Sequence, residues 1–84
     1  MQRIGCVLHI SSNRHLIVKA ENLPRIGDLV VDEHLKPVGM VFDIFGPTTS
    51  PYVAVKPDIE GVYRLVNHIL YSVPPPKPKV EKRR

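Results

Sequence analysis

The sequence has a single cysteine, no tryptophan, and no apolar run longer than a few residues. A helix that spans a bilayer needs about 20 consecutive apolar residues, so none is encoded. Cys6 alone excludes an internal disulfide. It sits in an alternating apolar series with no neighbour that would lower its pKa, and is expected to be a small core residue in a reducing compartment. Met1-Gln2-Arg3 leads directly into a strand-like pattern, with no apolar leader segment and no small-residue cleavage site; the expectation is a cytoplasmic chain. At 84 residues the chain holds one small core at most.

Net charge is also missing from most of the chain. Residues 1–73 hold seven of the twelve Lys/Arg and seven of the eight acids, so the formal charge of +4 lies wholly in residues 74–84. The high isoelectric point therefore describes a tail and not a basic binding face.

Catalytic and metal-binding patterns are absent too. His9, His15, His34 and His68 are scattered, and one cysteine with separated histidines does not supply the four converging ligands of a zinc site. Asp32 and Glu33 are adjacent in a turn, point apart, and are expected to be solvated loop charges. Ser11, Ser12, Ser50 and Ser72 lie in turns or near a strand end, without a Gly-x-Ser-x-Gly elbow. No phosphate-binding or dinucleotide glycine pattern occurs. The expectation is a protein with no catalytic residue, no metal and no cofactor.

What is present is alternation of period two. Ile4, Cys6, Leu8 and Ile10 alternate with Arg3, Gly5, Val7 and His9, which predicts a half-buried strand with the first set inside. SSNR (11–14) is a turn, and Leu16, Val18 and Ala20 continue as the second arm of a hairpin. ENLPRIGD (21–28) is a loop, LVV (29–31) a short strand and DEHLKP (32–37) a turn. A long strand runs from Val38 to Phe45, where Gly39 signals a bulge or a close backbone approach. GPTTSP (46–51) turns into YVAVK (52–56). Residues 57–68 form an irregular loop or one helical turn, since Pro57 and Gly61 oppose anything longer. ILYSV (69–73) is the last strand. PPPKPKVEKRR (74–84) is a tail that favours polyproline II at its start. Six short strands, no amphipathic helix and no visible internal repeat predict a small antiparallel barrel over residues 1–73, all-β, with the tail outside it.

The strand 38–45 carries too many apolar residues for a core alone. Val38, Met40, Phe42 and Ile44 share one face; Gly39, Val41, Asp43 and Phe45 share the other. A barrel strand shows one face to solvent. If the even set is inside, Val41 and Phe45 are exposed beside Asp43; if the odd set is inside, four large apolar side chains are exposed and Asp43 is buried at a cost. Either arrangement leaves an apolar patch that Pro47 and Tyr52 extend, the signature of a protein–protein interface. The alternative is that loop 57–68 or the tail folds back over it.

Single-strand RNA binders interleave aromatic and basic residues, and here Phe42, Phe45, Tyr52, Tyr63 and Tyr71 have few basic neighbours. Lys77, Lys79, Lys82, Arg83 and Arg84 of the tail are the candidates for contact with RNA phosphate.

Taken together, Pro24-x-x-Gly27-Asp28, Val38-Gly39, Asp43-Ile44-Phe45-Gly46-Pro47 and Tyr52-Val53-Ala54-Val55-Lys56-Pro57 resemble the Gar protein family, the small barrel subunit of box H/ACA ribonucleoproteins. IGCVLHI at the start and ILY near the end fit as well, so the resemblance covers most of residues 3–73. It implies a six-stranded barrel of the translation-elongation-factor type with no activity of its own. It also implies docking on the catalytic domain of a dyskerin-type pseudouridine synthase, where the subunit helps substrate RNA load and leave during rRNA modification. Guide and substrate RNA would then be met mainly indirectly. The chain lacks Arg-Gly-Gly flanks, as archaeal-type members do, and Met40 and Phe42 are more apolar than the family pattern. Phe45, Gly46, Pro47, Tyr52 and Val53, with Val41 and Phe42 behind them, are the expected docking residues. Other readings are a barrel that binds RNA directly with its basic tail, and a ribosome-maturation-type barrel that binds a ribosomal protein.

Overall fold

Alternating residues of a strand point to opposite faces, so a closed sheet needs only one apolar residue in two to fill its interior. In the computed structural model, which describes residues 1–74, this is how the chain folds. The strands are β1 (Gln2–Ile10), β2 (Leu16–Ala20), β3 (Leu29–Val31), β4 (Pro37–Phe45), β5 (Tyr52–Pro57) and β6 (Ile69–Val73). They close in the order β1-β2-β5-β4-β3-β6, every neighbour antiparallel, with β6 paired to both β3 and β1. No edge is left open for unwanted pairing. A 3-10 turn, Val62–Leu65, interrupts the loop between β5 and β6. Its Val62 and Leu65 plug that end of the barrel, which makes the segment 57–68 a stopper with one helical turn.

The interior is filled by Ile4, Val7, Leu16, Val18, Val30, Val38, Val41, Val53, Val55 and Leu70, with Ile10 and Ile44 packed against them. This corrects the expected inward set of β1. Val7 is fully buried, whereas Leu8 is exposed and Cys6 only half-buried. The cause is a bulge: Val7 pairs with Val18 and His9 with Ile17, so Leu8 is an extra residue that the ladder skips. A second register shift, between Arg3 and Gly5, skips Ile4 on the β6 side.

Strand β4 behaves in the same way. Val41 pairs with Val55 and Asp43 with Ala54, so Phe42 is the extra residue; Val38 is skipped on the β3 side. In both long strands the inward residues therefore fall every third position, Ile4, Val7, Ile10 and Val38, Val41, Ile44. Each carries a glycine after its first inward residue. A Cβ on Gly5 would lie 2.0 Å from the Lys19 carbonyl oxygen, and one on Gly39 2.0 Å from that of Lys56. Only glycine allows that approach.

Those coincidences amount to a repeat that the sequence reading did not find. Ile4-Gly5-x-Val7-x-x-Ile10 and Val38-Gly39-x-Val41-x-x-Ile44 are two copies of one strand. Exchanging β1, β2 and β3 for β4, β5 and β6 leaves the strand order of the closed barrel unchanged. The molecule has a pseudo-twofold design, with three strands to each half.

Candidate functional site

The bulge at Phe42 answers which face of β4 is outermost, and neither alternating set is. Phe42 and Asp43 both point out, while Val41 before them and Ile44 after them turn in. Met40, Phe42 and Phe45 are 42%, 52% and 43% exposed. On β5, Tyr52 is half-buried and its ring stacks on Phe45 with centroids 5.8 Å apart. Gly46, at φ 94°, starts the turn, which the Ser50 N–H closes on the Pro47 carbonyl at 3.0 Å. Tyr52 lies across that glycine, so close that a Cβ there would meet its ring at 2.9 Å. Phe45, Gly46, Pro47 and Tyr52 thus form one rigid, apolar hairpin end.

Two expected docking residues are not on this surface. Val41 is 1% and Val53 0% exposed; both are interior residues, held there by the bulge and by the inward phase of β5. Beneath the exposed rings lie two residues that the sequence reading did not select. Ile17 and Ala54 are buried, yet neither belongs to the interior cluster. They pair across β2 and β5 and, together with Asp43 opposite Ala54, make a row on the outer wall. The Phe42 ring reaches toward the same row, 4.5 Å from the His15 ring. Below it, Met40 pairs with Leu29 on one side and with Lys56 on the other. Charge on this face is sparse: the Asp43 carboxylate turns back to accept the Ile44 N–H at 2.8 Å, and Lys19 and Lys56 stand at the margins.

The pseudo-twofold gives this surface an internal control. In the first half Leu8 occupies the bulge position of Phe42, and Ser11 and His15 flank the turn where Phe45 and Tyr52 flank the other. Both halves meet the same demands of core and closure, so the extra aromatic surface of the second half serves neither. Its signal was in the sequence, in the difference between two aligned copies of Ile/Val-Gly-x-Val-x-x-Ile.

The other candidates are dispersed. Asp32 and Glu33 do point apart, but Asp32 is buried rather than solvated: its carboxylate accepts the N–H groups of His34 at 2.8 Å and Lys36 at 3.0 Å and so builds the β3–β4 turn. Burial acts to raise its pKa, yet the backbone donors outweigh it and hold the group below the ordinary carboxylate value. Glu33 reaches His68 at 3.1 Å. Among the described residues no group of three or more His, Cys, Asp or Glu side chains converges. Lys77, Lys79, Lys82, Arg83 and Arg84 lie outside the described residues.

Comparison with known proteins adds the remaining observation. Residues 1–82 match the family described as the Gar1/Naf1 RNA binding region. An uncharacterized protein of Methanothermobacter thermautotrophicus is 35% identical over 57 residues, which are 68% of this chain and 62% of that protein. An uncharacterized protein of Methanocaldococcus jannaschii is 37% identical over 57 residues, 64% of this chain and 69% of its own. The chain thus spans less than two thirds of the first relative, while the family match takes in all six strands and both copies of the bulged strand. This chain belongs to the Gar1/Naf1 RNA-binding family.

Proposed function

We propose that the protein is a non-catalytic barrel subunit of an H/ACA-type ribonucleoprotein, which docks on the pseudouridine synthase and helps substrate RNA load and leave. Membership in an RNA-binding family supports the RNA-associated part of this reading. The docking part rests on one observation, the apolar outer wall of β4 and β5 that its pseudo-symmetric counterpart lacks. Phe42, Phe45 and Tyr52 are aromatic anchors of the kind that dominate protein interfaces, and Gly46-Pro47 fixes the turn that presents them. Met40 extends the apolar centre, and the two lysines supply a polar rim.

The decisive experiment is capture by a recombinant archaeal pseudouridine synthase of the H/ACA type. Wild-type chain co-elutes with the enzyme. Phe45→Asp combined with Tyr52→Asp puts two charges into the interface and weakens binding by about thirtyfold or more, the effect of losing a hot spot of roughly 2 kcal/mol or above. Leu8→Asp, at the equivalent bulge of the first half, leaves capture intact. Failure of the wild type to co-elute, or equal loss with Leu8→Asp, would remove the basis for this surface.

A further inference from the structure

Beyond the apolar wall, the molecule carries a concave feature at the opposite end of β5. A cleft of about 430 Å³ opens between the β1–β2 turn and the loop after β5, and its walls include Asn13, Arg14, Lys56, Glu60 and Tyr63. That volume lies in the range of small-ligand sites, roughly 300–1,000 Å³. Ile59 and Val62, packed against the core, give it an apolar floor.

Its chemistry differs from that of the rest of the barrel. Arg14 and Lys56 are both exposed, and among the described residues neither forms an ion pair; the ion pairs there are Arg3 with Glu21 and His68 with Glu33. Among the described residues Glu60 is the one acid of the lining. Two cations against one acid give the lining a net positive charge. Tyr63 stands at the mouth, 72% exposed, while Tyr52 is occupied by its stack on Phe45. The 3-10 turn, anchored inward by Val62 and Leu65, holds the Tyr63 ring outward.

We infer that this cleft binds a nucleotide of single-stranded RNA, with Tyr63 as the stacking platform for a base and Arg14 and Lys56 as the phosphate ligands. An unpartnered aromatic beside unpaired cations is the arrangement by which single strands are held, because every base has a face to stack and every linkage a charge. Duplex RNA fits poorly, since its bases are already stacked on one another. The ligand class rests on the RNA-associated reading above; the site does not depend on the synthase. Five residue steps along β5 separate Tyr52 from Pro57, about 17 Å at 3.3 Å per step. The barrel therefore presents a protein-docking end and an RNA-binding end, which meet at His15, a cleft residue whose ring also lies against Phe42.

The test uses the full chain without synthase, and a fluorescein-labelled 12-nucleotide poly(U) strand at several salt concentrations. Arg14 has φ 68°, a conformation asparagine tolerates, so Arg14→Asn with Lys56→Gln removes both charges without straining the turn. This pair weakens binding at least tenfold and flattens the plot of log affinity against log salt by about 1.4, at about 0.7 for each phosphate no longer neutralised. Tyr63→Ala weakens binding about tenfold with the salt slope unchanged, and Tyr63→Phe restores it. Both Tyr63 variants keep synthase capture. Unchanged affinity in the double variant, with binding carried by residues 74–84, overturns the inference. So does equal binding of a poly-glutamate peptide or of duplex RNA, or loss of synthase capture in the Tyr63 variants.

Discussion

The Asp32 carboxylate accepts two backbone N–H groups in a turn of five residues, and the Asp32 N–H in turn donates to the Lys36 carbonyl at 3.1 Å. Asp32→Ala leaves both donors without an acceptor and costs about 2 kcal/mol. For a domain of this size that is about 10 °C in Tm. Asp32→Asn keeps an acceptor oxygen but not the charge, so it isolates the pH-dependent part. The folded pKa is held below the ordinary value of 3.8, with burial opposing and the Lys36 and His34 donors prevailing. The unfolded chain therefore takes up the proton first as pH falls. The ionised group contributes its full stability above its unfolded pKa, and loses that contribution as pH drops through the folded one. Thermal melts from pH 7 to pH 2 check this: the Tm advantage over Asp32→Asn is constant above about pH 5 and closes below about pH 4. A difference that does not change with pH would assign the effect to hydrogen-bond geometry alone.

At the scale of elements, β4 concentrates what the sequence made legible and what it hid. Its ends, its apolar excess and the special place of Gly39 follow from local alternation and glycine chemistry. The identity of its inward residues does not, because a bulge is a relation between two strands and leaves no mark in the period of one. For the same reason alternation alone puts Leu8 inside and Val7 outside, and one of the two phases it allows for β4 leaves Val41 exposed. Val53 is a different case: its selection rests on its neighbour Tyr52, although the alternation of β5 turns it inward. The hairpin-end residues Phe45, Gly46, Pro47 and Tyr52 were readable because a turn is local. The cleft was not, since Arg14, Lys56 and Tyr63 are brought together only by closure. Substitution at the bulge separates the two phases. Val41→Ser loses a buried side chain and buries a hydroxyl, for about 3–5 kcal/mol. Phe42→Ser, one residue later, costs about 1 kcal/mol or less, because the ring it removes is half in water. Gly39→Ala forces a Cβ against the Lys56 carbonyl oxygen and the Pro57 Cα, 2.7 Å away, and costs at least about 3 kcal/mol. Urea midpoints at constant m-value measure all three, and a larger loss for Phe42→Ser than for Val41→Ser would place the phase of β4 wrongly.

For the molecule as a whole, the pseudo-twofold divides labour between equivalent halves. Both supply a bulged strand with a glycine to let the neighbouring strand approach, and only the second adds an aromatic outer wall. Closure joins the first strand to the last, with Gln2 opposite Ser72, and this is the most non-local pairing in the barrel. The β1–β2 hairpin, by contrast, pairs residues as close in sequence as Ile10 and Leu16. Loop-closure entropy opposes the first and hardly touches the second, so local hairpins form early and the β1–β6 seam forms late. Leu70, wholly buried on β6, and Val18, wholly buried on β2, report on the two events. Leu70→Ala destabilises by about 2–5 kcal/mol, felt mainly as faster unfolding. Val18→Ala costs less in total, and a larger share of its effect appears as slower folding. Stopped-flow chevrons measure both arms. Equal slowing of the folding arm by Leu70→Ala would mean that the barrel closes before its transition state, and the two halves would then fold as one unit from the start.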